Sequence, residues 1–416
     1  MRYSAVIIAL FCFFVLGTMV ALAEPGLIYG KIYTYDDEVL EGFIRWDRNE
    51  ASWEDVLDGD KQLDRRHRKK YRKYRDDDDR RYGYDTGGIR IFGVNIFGGG
   101  YFGQASSGIR FGHVKTIIPD GDDEVILVLK SGEEIELENG SGDIGDDIRE
   151  ILIDTEDEGI IELEWYDIDK VELMETPNRK TSFGNRLYGT LVTRRGDEYT
   201  GYVCWDMDET YDTDIIDGQE RSRKRKVKIK DIKIIERGSS KSALLTLKNG
   251  KKIRLEGSND VDDSNRGIVL SDANLGRIVV EWDDFDYLEF KKSPGGTHYS
   301  EFDGGKKISG TVITEDGDKY SGFIQWDADE EYSWEFLDGK MDDVDFAVEF
   351  SNIKSIEKAS RRGSKVILRD GRILRLRESN DVDHDNKGII ILSDDGDDGD
   401  DEVYVDWEDF EMAEFD

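Results

Sequence analysis

The stretch "VKIKDIKIIERGSSKSALLTLKNGKKIRL" (residues 227–255) holds two patterns that decide the fold. Leu245, Leu247, Ile253 and Leu255 alternate with Thr246, Lys248, Lys252 and Arg254 about the dipeptide Asn249-Gly250. This spacing predicts a β-hairpin with the apolar set toward a core and the polar set outward. Upstream, Ile229, Ile232 and Ile235 stand three apart and interrupt a period-two alternation. That predicts strand, one tight 3₁₀ turn, then strand. The runs are short and rich in β-branched residues, so a long helix is not expected there.

Both patterns return along the chain. "LKSGEEIEL" from Leu129 and "LRDGRILRL" from Leu368 repeat the hairpin with Ser-Gly and Asp-Gly at the turn. The spacing of three recurs at Phe111/Val114/Ile117, Trp165/Ile168/Val171, Trp282/Phe285/Leu288, Phe350/Ile353/Ile356 and Trp407/Phe410/Ala413. A longer module appears as "GKIYTYDDEVLEGFIRWDRNE" from Gly30, "GTLVTRRGDEYTGYVCWDMDE" from Gly189 and "GTVITEDGDKYSGFIQWDADE" from Gly310. Nine residues after each comes a glycine preceded by Asp, at Gly59, Gly218 and Gly339. Pro25, Pro177 and Pro294 lie just before the copies and mark linkers. The division expected is a leader at 1–23, then repeats at 24–177, 178–294 and 295–416, the first with an insertion at 61–105.

Strand, hairpin, strand, short 3₁₀ turn and closing strand together resemble the small β-barrels of the SH3-like and Sm-like superfamily. The resemblance is one of pattern and covers nearly the whole chain after the leader. It implies an all-β fold of three tandem repeats, each of two small barrel-type halves with short 3₁₀ turns. Such folds host many functions, so function has to be argued from sites.

Composition narrows the partners. The chain has 416 residues, with 94 Asp+Glu against 58 Lys+Arg and a formal charge of −36. That balance opposes adhesion of the whole molecule to nucleic acid or anionic lipid. The hydrophobic fraction of 37% still suffices for packed domains. "MRYSAVIIALFCFFVLGTMVALA" reads as a cleaved secretory leader ending in Ala21-Leu22-Ala23, and no later segment is apolar enough for a membrane helix. The mature chain is expected in the periplasm or outside the cell. It would keep one cysteine, Cys204, so no internal disulfide can staple it. Cys204 stands where the other copies have Arg45 and Gln325, which argues against a catalytic thiol.

Two kinds of candidate site emerge. "SNDVDDSNRGI" (258–268) and "SNDVDHDNKGI" (379–389) place Asn259, Asp260, Asp262 and Asp263, then Asn380, Asp381, Asp383 and Asp385, at the short spacing that Ca²⁺ ligation uses. Neither is an EF-hand, so each would need ligands from elsewhere. The simpler reading is an Asx-turn loop. The first copy has Gly142 and Gly145 at two of these positions, so a metal site is expected to be lost there. The acids after Trp46, Trp205 and Trp326 read as a solvated strand end, and the tryptophans themselves as core. The second kind is basic. Arg65, Arg66, Arg68, Lys69, Lys70, Arg72, Lys73 and Arg75, with Arg223, Lys224 and Arg225, could bind a polyanion.

Enzyme signatures are poor: His67, His113, His298 and His384 share no repeat position, and no nucleophile, phosphate or zinc motif is present. Carboxylates are so abundant that an Asp/Glu hydrolase receives no specific support. The expectation is an exported, non-enzymatic binding or scaffold protein whose partner is a protein or polysaccharide of the envelope or exterior. The alternatives are a Ca²⁺-dependent surface or matrix protein and a polyanion binder.

Overall fold

The computed structural model describes residues 26–62, 89–91, 94–97, 104–138, 142–392 and 402–416, which form strands, turns and 3₁₀ helices with no α-helix among them. The hairpins form where the turn dipeptides lie. Glu124–Leu129 pairs with Glu134–Glu138, Ser242–Leu247 with Lys252–Glu256, and Gly363–Leu368 with Ile373–Arg377. Gly132, Gly250 and Gly371 take φ of 92°, 84° and 91° at the turns, a conformation that a side chain resists. Leu245, Ile253 and Leu255 are buried, and Leu247 packs half-buried at the margin of the same core. Lys248, Lys252 and Arg254 are exposed.

Four of the six spacings of three carry a 3₁₀ helix, at Phe111–His113, Trp165–Asp167, Ile229–Asp231 and Phe350–Asn352. At Trp282 and Trp407 the chain instead makes a wider turn, with the Phe285 and Phe410 amides donating to Glu281 and Asp406 carbonyls at 3.1 and 3.0 Å.

The sheets are open, which corrects the expectation of SH3-like or Sm-like barrel halves. In the first part of the chain ten strands join antiparallel. Their order is Gly159–Leu163, Ile151–Thr155, Val39–Trp46, Tyr29–Thr34, Ile168–Leu173, Val114–Asp120, Glu124–Leu129, Glu134–Glu138, Val56–Gln62 and Gln104–Arg110. The same order of neighbours runs from Gly276–Val280 to Arg223–Lys228. It runs again from Glu402–Val405 to Val344–Glu349.

The reason no barrel closes lies in one strand. Ile168–Leu173 hydrogen-bonds to Tyr29–Thr34 on one edge and to Val114–Asp120 on the other, so the two halves continue one sheet. A barrel would need its first and last strands to meet. Here the outer strand Gly276–Val280 pairs with Val344–Glu349 of the following set instead, fusing two sets into a sheet of twenty strands. The third set is therefore not a separate barrel repeat.

The interior holds a small apolar cluster at Cys204, Val269, Val279 and Ala347 and two large ones. One apolar cluster runs from Leu187 to Phe415 and is shared across the fused sheet. The other fills the first set and takes in Phe183, Tyr211, Tyr299, Phe302 and Trp334 from later in the chain. Charged joints sit between the sets. The buried guanidinium of Arg186 bonds both oxygens of Asp55 at 2.9 Å, and Arg45 bonds both oxygens of Asp214 at 3.1 Å. Lys61 reaches Glu335, the residue at the corresponding position of the last set. Each of these acids also accepts two backbone amides of its own turn, so the cation meets a carboxylate already fixed in place. Among the described residues no helix is long and apolar enough to cross a membrane.

Candidate metal centre

Each strand that carries the repeated tryptophan ends in a tight reversal. The amides and carbonyls of Trp46 and Glu50 bond reciprocally at 2.9 and 3.1 Å, and Trp205/Glu209 and Trp326/Glu330 do the same. Between them Asp47 and Arg48 take φ of 40° and 70°, Asp206 and Met207 54° and 52°, Asp327 and Ala328 46° and 64°. Asp tolerates this left-handed backbone better than most residues. The reversal turns its carboxylate, and that of the following Glu, back toward the protein.

The Asp-bearing loop closes over this reversal because the indole holds it. Nε1 of Trp46, Trp205 and Trp326 donates to the backbone carbonyl of Asp143, Asp260 and Asp381, at 2.9 Å in every case. The side chain of the same loop Asp accepts the backbone amide of Asp58 (3.0 Å), Asp217 (2.6 Å) or Asp338 (2.7 Å). Each of those residues precedes the repeated glycine. A Cβ on Gly59, Gly218 or Gly339 would lie 2.6, 3.2 or 3.3 Å from the side chain of Ile144, Val261 or Val382, the residue after the loop Asp. Glycine there lets the loop seat fully.

Three equivalent carboxylate groups result: Asp47/Glu50/Asp143, Asp206/Glu209/Asp260 and Asp327/Glu330/Asp381, each with ligand oxygens within 4.8 Å of one another. The solvated strand end expected from sequence is thereby corrected, since Asp206 and Asp327 are 0% exposed and Asp47 5%. The tryptophans are buried. Alternation along a strand places side chains on its two faces; it carries no information about a loop that returns 55 residues later.

The electrostatics separate the three acids of each group. The first Asp has a cation. Arg149 donates to Asp47 Oδ2 from Nε at 3.0 Å and Nη2 at 2.8 Å, Arg266 reaches Asp206 at 3.0 Å, and Lys387 reaches Asp327 at 3.0 Å. The Glu does not: Oε2 of Glu50, Glu209 and Glu330 is buried without a hydrogen-bond partner in all three groups. Burial, then the neighbouring carboxylates, push Glu50 and Glu330 well above the ordinary range and Glu209 to about 10. Burial likewise raises Asp260 to about 7 and holds Asp143 and Asp381 well above the ordinary carboxylate range. Carboxylates held this close and this dry require protons or a cation between them. An all-oxygen set of this kind can coordinate a hard divalent cation.

The structure sorts the residues of the Asp-rich loops. Asp260 and Asp381 enter the groups. The amides of Asn259 and Asn380 donate to Asp206 and Asp327 and brace them. Asp262 and Asp383 turn into Asx turns, accepting the amides of Ser264 and Asp385 at 3.0 Å. Asp263 and Asp385 are exposed. Asp383, His384 and Asp385 also bring ligand atoms within 4.8 Å of one another, but at the rim of the loop. The first copy keeps its group, contrary to expectation, because Asp143 occupies the decisive position although Gly142 and Gly145 flank it. The strand end and the loop lie 55 or 97 residues apart in sequence, and neither pattern on its own points to the other. The shared recurrence of Trp-Asp and loop Asp was the signal that could have joined them.

Of the basic candidates, Arg223, Lys224 and Arg225 lie exposed on Arg223–Lys228, with Arg225 3.6 Å from Glu220. Arg65, Arg66, Arg68, Lys69, Lys70, Arg72, Lys73 and Arg75 lie outside the described residues. Cys204 is buried, and burial raises its thiol well above the ordinary range, which opposes thiolate formation. Comparison with protein-family models, with curated proteins and with solved structures finds no match for this chain.

Proposed function

We propose that the chain is an exported, non-enzymatic binding or scaffold protein of the cell surface or surrounding matrix whose working form holds Ca²⁺ in its three carboxylate groups. The observation that carries this reading is the partnerless Glu oxygen repeated at Glu50, Glu209 and Glu330. A buried anion without a donor is costly, and a cation at that point would satisfy it together with both Asp carboxylates. Ca²⁺ suits the reading because it accepts irregular oxygen cages and because extracellular modules bind it at about 10⁻⁴–10⁻³ M, concentrations met outside cells. The apolar stretch at 1–23, with Arg2 ahead of it and Ala21-Leu22-Ala23 at its end, supports a location outside the cytoplasm. The sheets would then act as a rigid frame, with the loops and outer strands as the binding surface.

The test is thermal unfolding of the purified chain in 2 mM Ca²⁺, in 2 mM Mg²⁺ and in EDTA, beside the triple variant Glu50→Gln, Glu209→Gln, Glu330→Gln. A cation that binds the native state raises the midpoint; 2 mM is about 2–20 times a dissociation constant of 10⁻³–10⁻⁴ M, which corresponds to about 0.6–1.8 kcal/mol of stability per site. The wild type is expected to gain in Ca²⁺ and the triple variant to lose that gain. A wild-type midpoint indifferent to Ca²⁺ would overturn the proposal.

A further inference from the structure

We propose that the acidic outer strand Gly159–Leu163 of one molecule adds to the basic outer strand Arg223–Lys228 of a second copy, joining the copies head to tail. Each strand pairs with one neighbour only among the described residues, Gly159–Leu163 with Ile151–Thr155 and Arg223–Lys228 with Ile215–Glu220. An outer strand exposes a row of unpaired amides and carbonyls, the usual template for adding another strand. Arg223, Lys224, Arg225, Lys226 and Lys228 are all exposed on one of them. On the other, Glu162 is exposed and Ile160 is 48% exposed, and the turn leading in is Glu156-Asp157-Glu158, also exposed.

The joint inside the molecule supplies the geometry. Gly276–Val280 is the outer strand equivalent to Gly159–Leu163, since Asp272↔Gly276 matches Thr155↔Gly159. Val344–Glu349 is equivalent to Arg223–Lys228, since Gly339↔Phe346 matches Gly218↔Arg225. Those two strands do pair, with Arg277 opposite Ala347, Ile278 opposite Phe346 and Val279 opposite Asp345. Carrying that register over sets Ile160 opposite Lys226, Ile161 opposite Arg225 and Glu162 opposite Lys224. Two steps beyond Ile160, past Gly159 and Val227, Glu158 falls opposite Lys228. Both ends of the new pair thus carry opposite charges face to face, an arrangement that stabilises an antiparallel pair. Within one molecule these two strands do not pair, so the occupant is a second copy. The contact uses two different surfaces, so it propagates instead of closing as a two-fold dimer.

Sedimentation velocity of the purified chain at fixed Ca²⁺ tests this, at 50 and 500 mM NaCl and rising protein concentration. Three samples are compared: wild type, Glu158→Lys with Glu162→Lys, and Lys224→Glu with Lys228→Glu. The wild type is expected to associate at low salt, with weakening at high salt. Each variant alone should associate at least tenfold more weakly, and an equimolar mixture of the two should recover association because each then offers the edge its partner lacks. Thermal midpoints within a degree of wild type show that the exposed changes leave the fold intact, and recovery on mixing shows it again. A wild type monomeric at every concentration, association that survives in either variant, or a mixture that stays monomeric would each overturn the proposal.

Discussion

Replacing Asp260 by Asn should move stability in opposite directions with and without Ca²⁺. Without a cation, Asp260 is buried beside Glu209 and Asp206, and its pKa stands at about 7 against an ordinary 3.8. That displacement of about three units corresponds to roughly 4 kcal/mol of native-state penalty for the charged form at neutral pH. Asn keeps the acceptor that meets the Asp217 amide at 2.6 Å and turns its NH₂ toward the neighbouring carboxylates. In EDTA at pH 7.5 the variant should therefore gain on the order of 1–4 kcal/mol. In 2 mM Ca²⁺ it lacks one of the charged oxygens around the ion, so its affinity at this site should fall at least tenfold, about 1.4 kcal/mol. Urea unfolding at constant pH measures both, and isothermal calorimetry reads the affinity directly. A variant that loses stability in EDTA, or that shows the wild-type response to Ca²⁺, would refute the reasoning from burial and charge.

Arg186→Met strips Asp55 of its bidentate partner and leaves a buried charge uncompensated, so urea unfolding should show a loss of about 3–5 kcal/mol, recovered in part by adding Asp55→Asn; equal losses in the single and double variants would count against a charge-based joint. Trp326→Phe removes the donor to the Asp381 carbonyl, which should cost about 1–3 kcal/mol and also weaken Ca²⁺ binding at that group in calorimetry, whereas a purely structural indole would leave the affinity unmoved. In EDTA the midpoint should fall as pH rises from 5 to 8. Asp327, Asp260 and Glu209 have folded values raised to about 6, about 7 and about 10, so the stability they contribute is complete below their unfolded values near 4 and is lost as pH climbs through the folded ones. Saturating Ca²⁺ should flatten that slope by taking the place of the protons, and a midpoint in EDTA that rises with pH would contradict the assignment.

What the sequence by itself determined is local. The dipeptides Ser131-Gly132, Asn249-Gly250 and Asp370-Gly371 specify where the chain reverses, and the alternation around them specifies which side chains are buried, because both depend on neighbours a few residues away. The same is true of the four 3₁₀ turns. One acid in each of two carboxylate groups was legible in this sense: Asp260 and Asp381 stand out as oxygen ligands on sequence grounds, while Asp206 and Asp327, expected to be solvated, are fully buried, and Asp143 in the first group is not singled out by its sequence. Which edges join was decided only in three dimensions. Ile168–Leu173 accepts a strand on both sides and so opens what would have been two barrels into one sheet, and nothing in its period-two pattern distinguishes one bonded edge from two. The carboxylate groups are tertiary for the same reason: an indole N–H finds a carbonyl 55 or 97 residues away, and only that contact converts two polar stretches into one dry pocket of acids.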